Sequence, residues 1–357
     1  MVNSTPNPIK EYYIAYFDIL GYRAFFEEQP EKVPELLNSV HDVIRRTKNH
    51  IGAANQSPIM SGIGEINILT KVFSDNFLMC MEVTNGQFEQ IRLLAFIQII
   101  ADIQRGFVAE YGLFVRGGLL KGELSFNNDY VFGKGLIDAV DMEEKVAIYP
   151  RIVIDDDLVT FVQDNPLYTQ EDFSRAVEIG QRLEKKEEVT ADEQTFYMQM
   201  CSKVFILQIL ERAKGILITK WPDGHWIICY LNQVGVSYLF GEAAKDSLLQ
   251  LIQSVSPADY ELARQQQQDF DAVLNLHKAR VEEKLRKYGS NKDIEIKKVK
   301  DAEVREKVLR KYIWVMALHN LICDFYQKQK YKIFTSCNCD TRFLKMTIEV
   351  QSNEAGV

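Results

Sequence analysis

The chain has 357 residues, 46% of them hydrophobic, enough for a sizeable core in one elaborated domain or two. Its 42 basic and 50 acidic residues give a net charge of −8, which argues against a general binder of phosphate backbones but leaves room for a local basic pocket. Six scattered cysteines (Cys80, Cys201, Cys229, Cys323, Cys337, Cys339) form no CxxC pair. No signal peptide is recognisable, and the longest apolar stretches fall short of the about 20 residues of a membrane span. The expectation is reduced thiols in a cytoplasmic, non-membrane protein, with Cys337-Asn338-Cys339 a surface turn.

In chain order, residues 12–17 (Tyr-Tyr-Ile-Ala-Tyr-Phe) read as a buried strand, broken at its end by Asp18 and followed by Ile19, Leu20 and Gly21. Val33, Leu37, Val40 and Ile44 predict a helix ending near His50, and residues 52–64, rich in Gly, Ser, Asn and Pro, predict a loop. Residues 67–83, "NILTKVFSDNFLMCMEV", read as two strands joined at Ser74-Asp75-Asn76. Asn85-Gly86 opens a long helix with a buried stripe of Phe88, Ile91, Leu94, Ala95, Ile99, Ile103 and Phe107, closed by Gly112. Residues 113–126, "LFVRGGLLKGELSF", read as a strand weakened by glycines; 134–147 fit a short helix and 151–154 a strand.

Residues 156–214 are strongly charged ("RLEKKEEVTADEQ") and read as a helical insertion. Residues 215–231 predict a hairpin turning at Pro-Asp-Gly. From 242 onward the chain reads as helical, its glutamine-rich (265–268) and lysine-rich (284–300) stretches being solvated faces. His41, His50, His225, His277 and His319 show no ligand spacing and receive no role.

A β-α-β-β-α-β series is the ferredoxin-like split unit of an α+β fold, in which strands one and three lie side by side in an antiparallel sheet. That places Asp18 beside the turn that holds Asp75. Two buried carboxylates repel each other and cost several kcal/mol to desolvate. A pair of divalent cations about 3.5–4 Å apart removes the penalty and suits in-line attack at phosphorus. A turn at Gly21 lets successive N–H groups hold phosphate oxygens. Pattern alone leaves open a plainer alternative: two ordinary carboxylates satisfied by backbone N–H groups or by an arginine.

Four stretches carry a resemblance. "YFDILGY" (16–22) resembles the first metal motif of class III nucleotidyl cyclases, Phe-x-Asp-Ile-x-Gly-Phe. "KVFSDNFLMCM" (71–81) is similar to their hairpin motif, "VRGGLLKG" (115–122) to the Arg-x-Gly-Ile-x-x-Gly strand, and "YVFGKGLIDAVDMEEKVA" (130–147) to the helix motif that ends in Arg-hydrophobic-Glu. They occur in the family's order across roughly residues 12–155. The spelling is most like the bacterial pyrimidine cyclases of Pycsar antiphage systems, which make cyclic UMP or cyclic CMP on infection.

The resemblance implies a cyclase domain over residues 8–240, with the insertion at about 156–214, and a helical C-terminal region over 241–357. It implies two Mg2+ or Mn2+ ions per site, bound by Asp18, Asp75 and the Ile19 carbonyl, and a triphosphate cradle of the Leu20, Gly21 and Tyr22 amides. Arg116 would contact phosphate, and Lys71 and Tyr130 would border the base. It implies a homodimer with shared sites, UTP or CTP as substrate, no nucleic-acid polymer, no membrane, and an effector reached only through the cyclic nucleotide. There are departures. The family's transition-state asparagine and arginine fall on Ile137 and Asp141, which leaves Arg116, Lys121 or Lys134 to stabilise the developing charge. The adenine-reading aspartate falls on Tyr130, which favours a pyrimidine. Rival expectations are a purine cyclase, a related palm-type polymerase making linked or cyclic oligonucleotides, and a catalytically silent nucleotide-binding module.

Overall fold

The structure is a computed structural model and describes residues 8–55, 65–86, 89–127, 129–164, 169–201, 204, 217–231, 257–289 and 299–334. Strand β1 (Lys10–Leu20) is apolar on both faces because both are covered. Tyr13, Ala15, Phe17 and Ile19 face one layer, and Tyr12 and Ile14 face the other. The strand lies between β3 (Asn76–Glu82) and β4 (Phe114–Phe126) and is antiparallel to both. With β2 (Ile68–Phe73) the order is β2-β3-β1-β4, the split arrangement that the β-α-β-β-α-β reading anticipates. The sheet then continues through β6 (Ile152–Ile154), parallel to β4, to β8 (Trp226–Ile228) and β7 (Ile218–Lys220). A short β5 (Val131–Phe132) pairs with the end of β4.

Helix α1 (Tyr22–Glu28) follows β1 directly. Helices α2 (Val33–Asn55) and α3 (Glu89–Gly106) cover the Phe17 face, and α4 (Lys134–Lys145) covers the other. Helix α2 runs past His50, so residues 52–55 are helical rather than loop. Helix α3 begins at Glu89, whose N–H donates to the Gly86 carbonyl. Its last turn widens into a π-helix over Phe107–Tyr111, which ends at Gly112 in the left-handed conformation.

The glycines of β4 do not weaken it: the strand runs unbroken for 13 residues. They let α4 lie directly on the sheet. A Cβ at Gly118 would come within 2.6 Å of Met142, and one at Gly122 within 2.7 Å of the Gly135 Cα.

The insertion comprises α5 (Asp156–Asp164), α6 (Gln170–Glu184) with a Thr169–Asp172 capping box, and helical residues 191–201. The turn at Pro222-Asp223-Gly224 joins β7 to β8, with Gly224 left-handed. Two long helices follow, α7 (Pro257–Gly289) and α8 (Val299–Phe325). Their buried side chains, among them Phe270, Leu274, Trp314 and Leu318, share one hydrophobic cluster with the Phe17 face of the sheet. Residues 242–256, Phe88, Cys337 and Cys339 lie outside the described residues.

Two histidines to which the sequence reading gave no role stitch this layer together. His277 of α7 and His319 of α8 are stacked, with their Nδ1 atoms 3.0 Å apart. Tyr230, just past β8, reaches His277 Nε2 at 2.9 Å, and His319 Nε2 reaches the Tyr331 carbonyl at 2.9 Å. One set of neutral tautomers satisfies the row: the Tyr230 hydroxyl and His277 Nδ1–H donate in turn, and His319 Nε2–H donates to the carbonyl.

Candidate active site

The register explains the opening anomaly in β1. Asp18 is opposite Asn76 of β3 on one side and Arg116 of β4 on the other. Cross-strand partners share a face, so Asp18 and Arg116 lie on the α4 side. Asp75 occupies the β2–β3 turn, where Ser74 adopts a left-handed φ of 60°. The turn is tied to β1 by the Ile19 N–H, which donates to the Asp75 carbonyl at 2.9 Å. The Asp75 carboxylate accepts from the Asn76 side-chain amide at 3.3 Å. Two acids 57 positions apart in sequence thus sit at adjacent strand ends.

The Arg116 guanidinium is held by two carboxylates. Nη2 lies 2.6 Å from Glu143 Oε1 of α4, and Nε lies 3.5 Å from Asp18 Oδ2. Burial raises the Asp18 pKa above the ordinary carboxylate value; Arg116 opposes the rise and the Asp75 charge adds to it. Burial raises Glu143 likewise, opposed by Arg116 and reinforced by Asp18. Burial is the leading cause in both, so each carboxylate's charge is disfavoured where it stands. The cluster's donors are hard oxygens, the type that holds Mg2+ or Mn2+. No group of three or more His, Cys, Asp or Glu side chains converges as a ready-made metal cage among the described residues. Any ion here would draw on Asp18, Asp75, the Ile19 carbonyl and ligand oxygens.

After Leu20 the chain turns at Gly21, left-handed at φ 84°, into the first turn of α1. The space a Gly21 side chain would fill is open. Lys71 borders Phe126, whereas Tyr130 packs on Phe132, with ring centroids 5.4 Å apart. Lys71 Nζ lies 5.9 Å from the Phe126 ring, and Tyr130 follows the end of β4, its N–H donating to Asn127 Oδ1 at 2.8 Å. Lys71 shares the sheet face of Asp18, since Phe73, two residues on, is opposite Asn76.

The other basic candidates face elsewhere. Lys121 pairs with Glu11 at 3.1 Å, and Lys134 pairs with Asp138 at 2.6 Å. Ile137 is 64% exposed on α4, and Asp141 pairs with Lys145 at 2.8 Å.

Two residues of the cluster escape the sequence reading. Glu143 stands in the quoted helix motif, and its signal is a lone acid one turn past Ala139 on the buried side of α4. Lys311, on α8, lies within Coulombic reach of Asp18, Glu143 and Arg116. Its only mark is a charge at the head of the apolar run "KYIWVMALHNLI" (311–322). None of the described helices is long and apolar enough to cross a membrane.

No protein-family model matches the sequence, and no curated protein does. Among solved structures the chain is similar to the adenylyl cyclase CyaB from P. aeruginosa, at 16% identity over 45% of this chain and 84% of that one, with a TM-score of 0.33. It is similar to the guanylyl cyclase Cya2, at 12% identity over 45% and 82%, TM-score 0.30. It is also similar to a bacterial light-regulated adenylyl cyclase, at 15% identity over 44% and 81%, TM-score 0.30. Likeness at this level carries no weight for the chemistry, which rests on the residues themselves.

Proposed function

We propose that the chain is a nucleotidyl cyclase that converts UTP, and CTP second, to the 3′,5′-cyclic nucleotide and pyrophosphate. The observation that carries the reading is the meeting of Asp18 and Asp75 at adjacent strand ends, joined by the bond from the Ile19 N–H to the Asp75 carbonyl. Asp18, Asp75 and the Ile19 carbonyl would hold two divalent ions, Mg2+ or Mn2+. Bound there, such ions neutralise the polyphosphate and make the ribose 3′-hydroxyl easier to deprotonate.

The chain's own residues orient the rest. The amides of Leu20, Gly21 and Tyr22, fanned by the left-handed turn, aim at phosphate oxygens. Arg116, held by Glu143 and 3.5 Å from Asp18, leaves that carboxylate available and presents its remaining N–H edge to phosphate. The 3′-oxygen bonds to the α-phosphorus as the bond to the β-phosphate oxygen breaks, and positioning with charge stabilisation does most of the catalysis. Lys71 and Tyr130 border the base, where the bulk of Tyr130 narrows the pocket toward a pyrimidine. A homodimer would complete each site, one protomer supplying the carboxylates and its partner the base contacts. The cyclic pyrimidine nucleotide would serve as an antiphage signal in the cytoplasm, read by a separate effector.

Incubation with ATP, GTP, CTP and UTP in Mn2+ or Mg2+, with products identified by mass spectrometry, tests this. Cyclic UMP is the expected main product. A clean cyclic AMP product overturns the pyrimidine assignment, and absence of pyrophosphate from every nucleotide overturns cyclase activity. A second reading, nucleotide binding without turnover, is favoured by the outward Ile137 and the Lys145-paired Asp141. Calorimetric binding with no product would establish it.

A further inference from the structure

We propose that Lys311, delivered by helix α8, is a polyphosphate-binding cation of the Asp18–Asp75 site, so that the C-terminal helical layer completes the site. The identity of the anion rests on the cyclase reading; the placement of the lysine does not.

Helix α8 is fixed against the strands that carry the cluster. Tyr312 packs on Phe114, two residues before Arg116, at 5.6 Å between rings. Trp314 is fully buried, stacked on Tyr149 at 5.8 Å and packed against Trp221 at 4.8 Å. The Arg151 guanidinium lies over the Trp314 ring and pairs with Asp223 at 2.6 Å. The Arg151 carbonyl in turn accepts from the Gly117 N–H, next to Arg116, at 2.9 Å. Lys311 therefore enters the cluster from a helix with little freedom to move.

What it does there follows from what it lacks. Lys311 is half-buried, with Asp18, Glu143 and Arg116 as its electrostatic neighbours. Among the described residues it makes no hydrogen bond and no ion pair within 4.0 Å. A lysine serving only as counter-ion would close on a carboxylate, as Arg116 does on Glu143 at 2.6 Å. Burial and the Arg116 charge disfavour the Lys311 ammonium, and Asp18 and Glu143 offset this only from beyond ion-pair distance, so an anion that closes on both cations is favoured. A polyphosphate seated on the Gly21 turn and the two aspartates is such an anion. It would also meet the need left by Ile137 and Asp141, since Lys121 and Lys134 are paired elsewhere.

Inorganic tripolyphosphate in Mn2+ is the probe, titrated by calorimetry into the full chain and into Lys311→Met, Lys311→Gln and Lys311→Arg, with cyclic-nucleotide formation measured alongside. Met and Gln are each expected to weaken tripolyphosphate binding and lower kcat/KM by about 10-fold or more, the effect of one charged hydrogen bond. Arg is expected to restore most of both, and the melting temperatures to stay at or above that of the parent chain. Unchanged binding in both neutral variants overturns the proposal. Tighter binding also overturns it, since it marks a lysine that blocks the site. So does a parent chain that binds no tripolyphosphate. Cyclic product with Lys311-independent binding defeats this inference alone; Lys311-dependent binding without product defeats the cyclase reading alone.

Discussion

Arg116 and Glu143 stand 2.6 Å apart, and that contact decides how much of Arg116 is left for Asp18, 3.5 Å away. Glu143 is 5% exposed at its side chain, so its hold on the guanidinium is little screened by water. Glu143→Gln keeps the size and removes the charge, and Arg116 then closes on Asp18. A carboxylate engaged by arginine is a poorer metal ligand. The expected result is a rise of about 10-fold in the Mn2+ concentration needed for half-maximal activity, the scale of changes to the partners of metal ligands. Mn2+ binding followed by electron paramagnetic resonance reads the same shift without turnover. An unchanged Mn2+ dependence refutes the competition.

Asp18 itself is expected to trade stability for function. Its pKa lies above the ordinary carboxylate value of 3.8 because burial and Asp75 disfavour its charge more than Arg116 favours it. The folded state then holds the proton more tightly than the unfolded chain. Its contribution to stability is greatest below 3.8 and declines as pH rises through the folded pKa. At neutral pH and without metal, Asp18→Asn is expected to raise the melting temperature by on the order of 2 °C. Activity is expected to fall by about 10²–10³-fold or more, as when a preorganised electrostatic group is removed. A variant that melts lower than the parent contradicts the assigned strain.

Local pattern makes β1–β4, their order and the Asp18–Asp75 meeting legible, because each depends on short-range signals such as apolar runs, a charge at a strand end and the turn at Ser74; the pairing of β5 with β4 and the β6-β8-β7 extension are not legible in it. Propensity misjudges the glycines of β4 because it counts what a residue does to its own strand. Here the decisive effect is the approach of α4, which no local window contains. Lys311 and Glu143 were missed for a related reason. Lys311 is 293 positions from Asp18 in sequence, and only the docking of α8 through Trp314 brings it into reach.

The same close approach ranks two glycine substitutions. At Gly118 a new Cβ meets the Met142 Cγ and Sδ at 2.6 Å, which can rotate aside, and the Met142 Cβ at 2.9 Å, which clears with a small shift of α4. At Gly122 it meets the backbone of Gly135 at 2.7 Å, where nothing yields but α4 itself. Gly118→Ala is therefore expected to cost less than about 1.5 kcal/mol, and Gly122→Ala about 1–3 kcal/mol, by urea unfolding. Gly122→Ala should also lower activity, since α4 carries Glu143. Met142→Ala should relieve Gly118→Ala and leave Gly122→Ala unrelieved. The reverse ranking counts against a helix seated on these glycines.

The histidine row makes the C-terminal layer acid-sensitive. Burial lowers both rings below the ordinary 6.5: His277 well below, with the His319 ring adding to the effect, and His319 to about 4, with nearby Lys278 contributing. The Cys323 thiol at 3.5 Å stays protonated, its pKa pushed up by burial to about 11, and the Tyr230 hydroxyl is likewise un-ionised. A proton added to His319 Nδ1 would set two donors face to face across 3.0 Å. Between pH 6.5 and about 4 the unfolded chain takes up protons that the folded rings refuse, so stability falls as pH falls and is fully present above 6.5. For His319 alone the loss is on the order of 3 kcal/mol, or roughly 5 °C in melting temperature across that window. His319→Gln can accept from His277 Nδ1–H and donate to the Tyr331 carbonyl without titrating, and is expected to remove about half of the acid-induced drop. Because α8 carries Lys311, tripolyphosphate binding should weaken with the same pH midpoint in the parent chain and hold to lower pH in the variant. A melting temperature that is flat from pH 7 to pH 4.5, or a variant as acid-sensitive as its parent, shows that these rings do not anchor the layer.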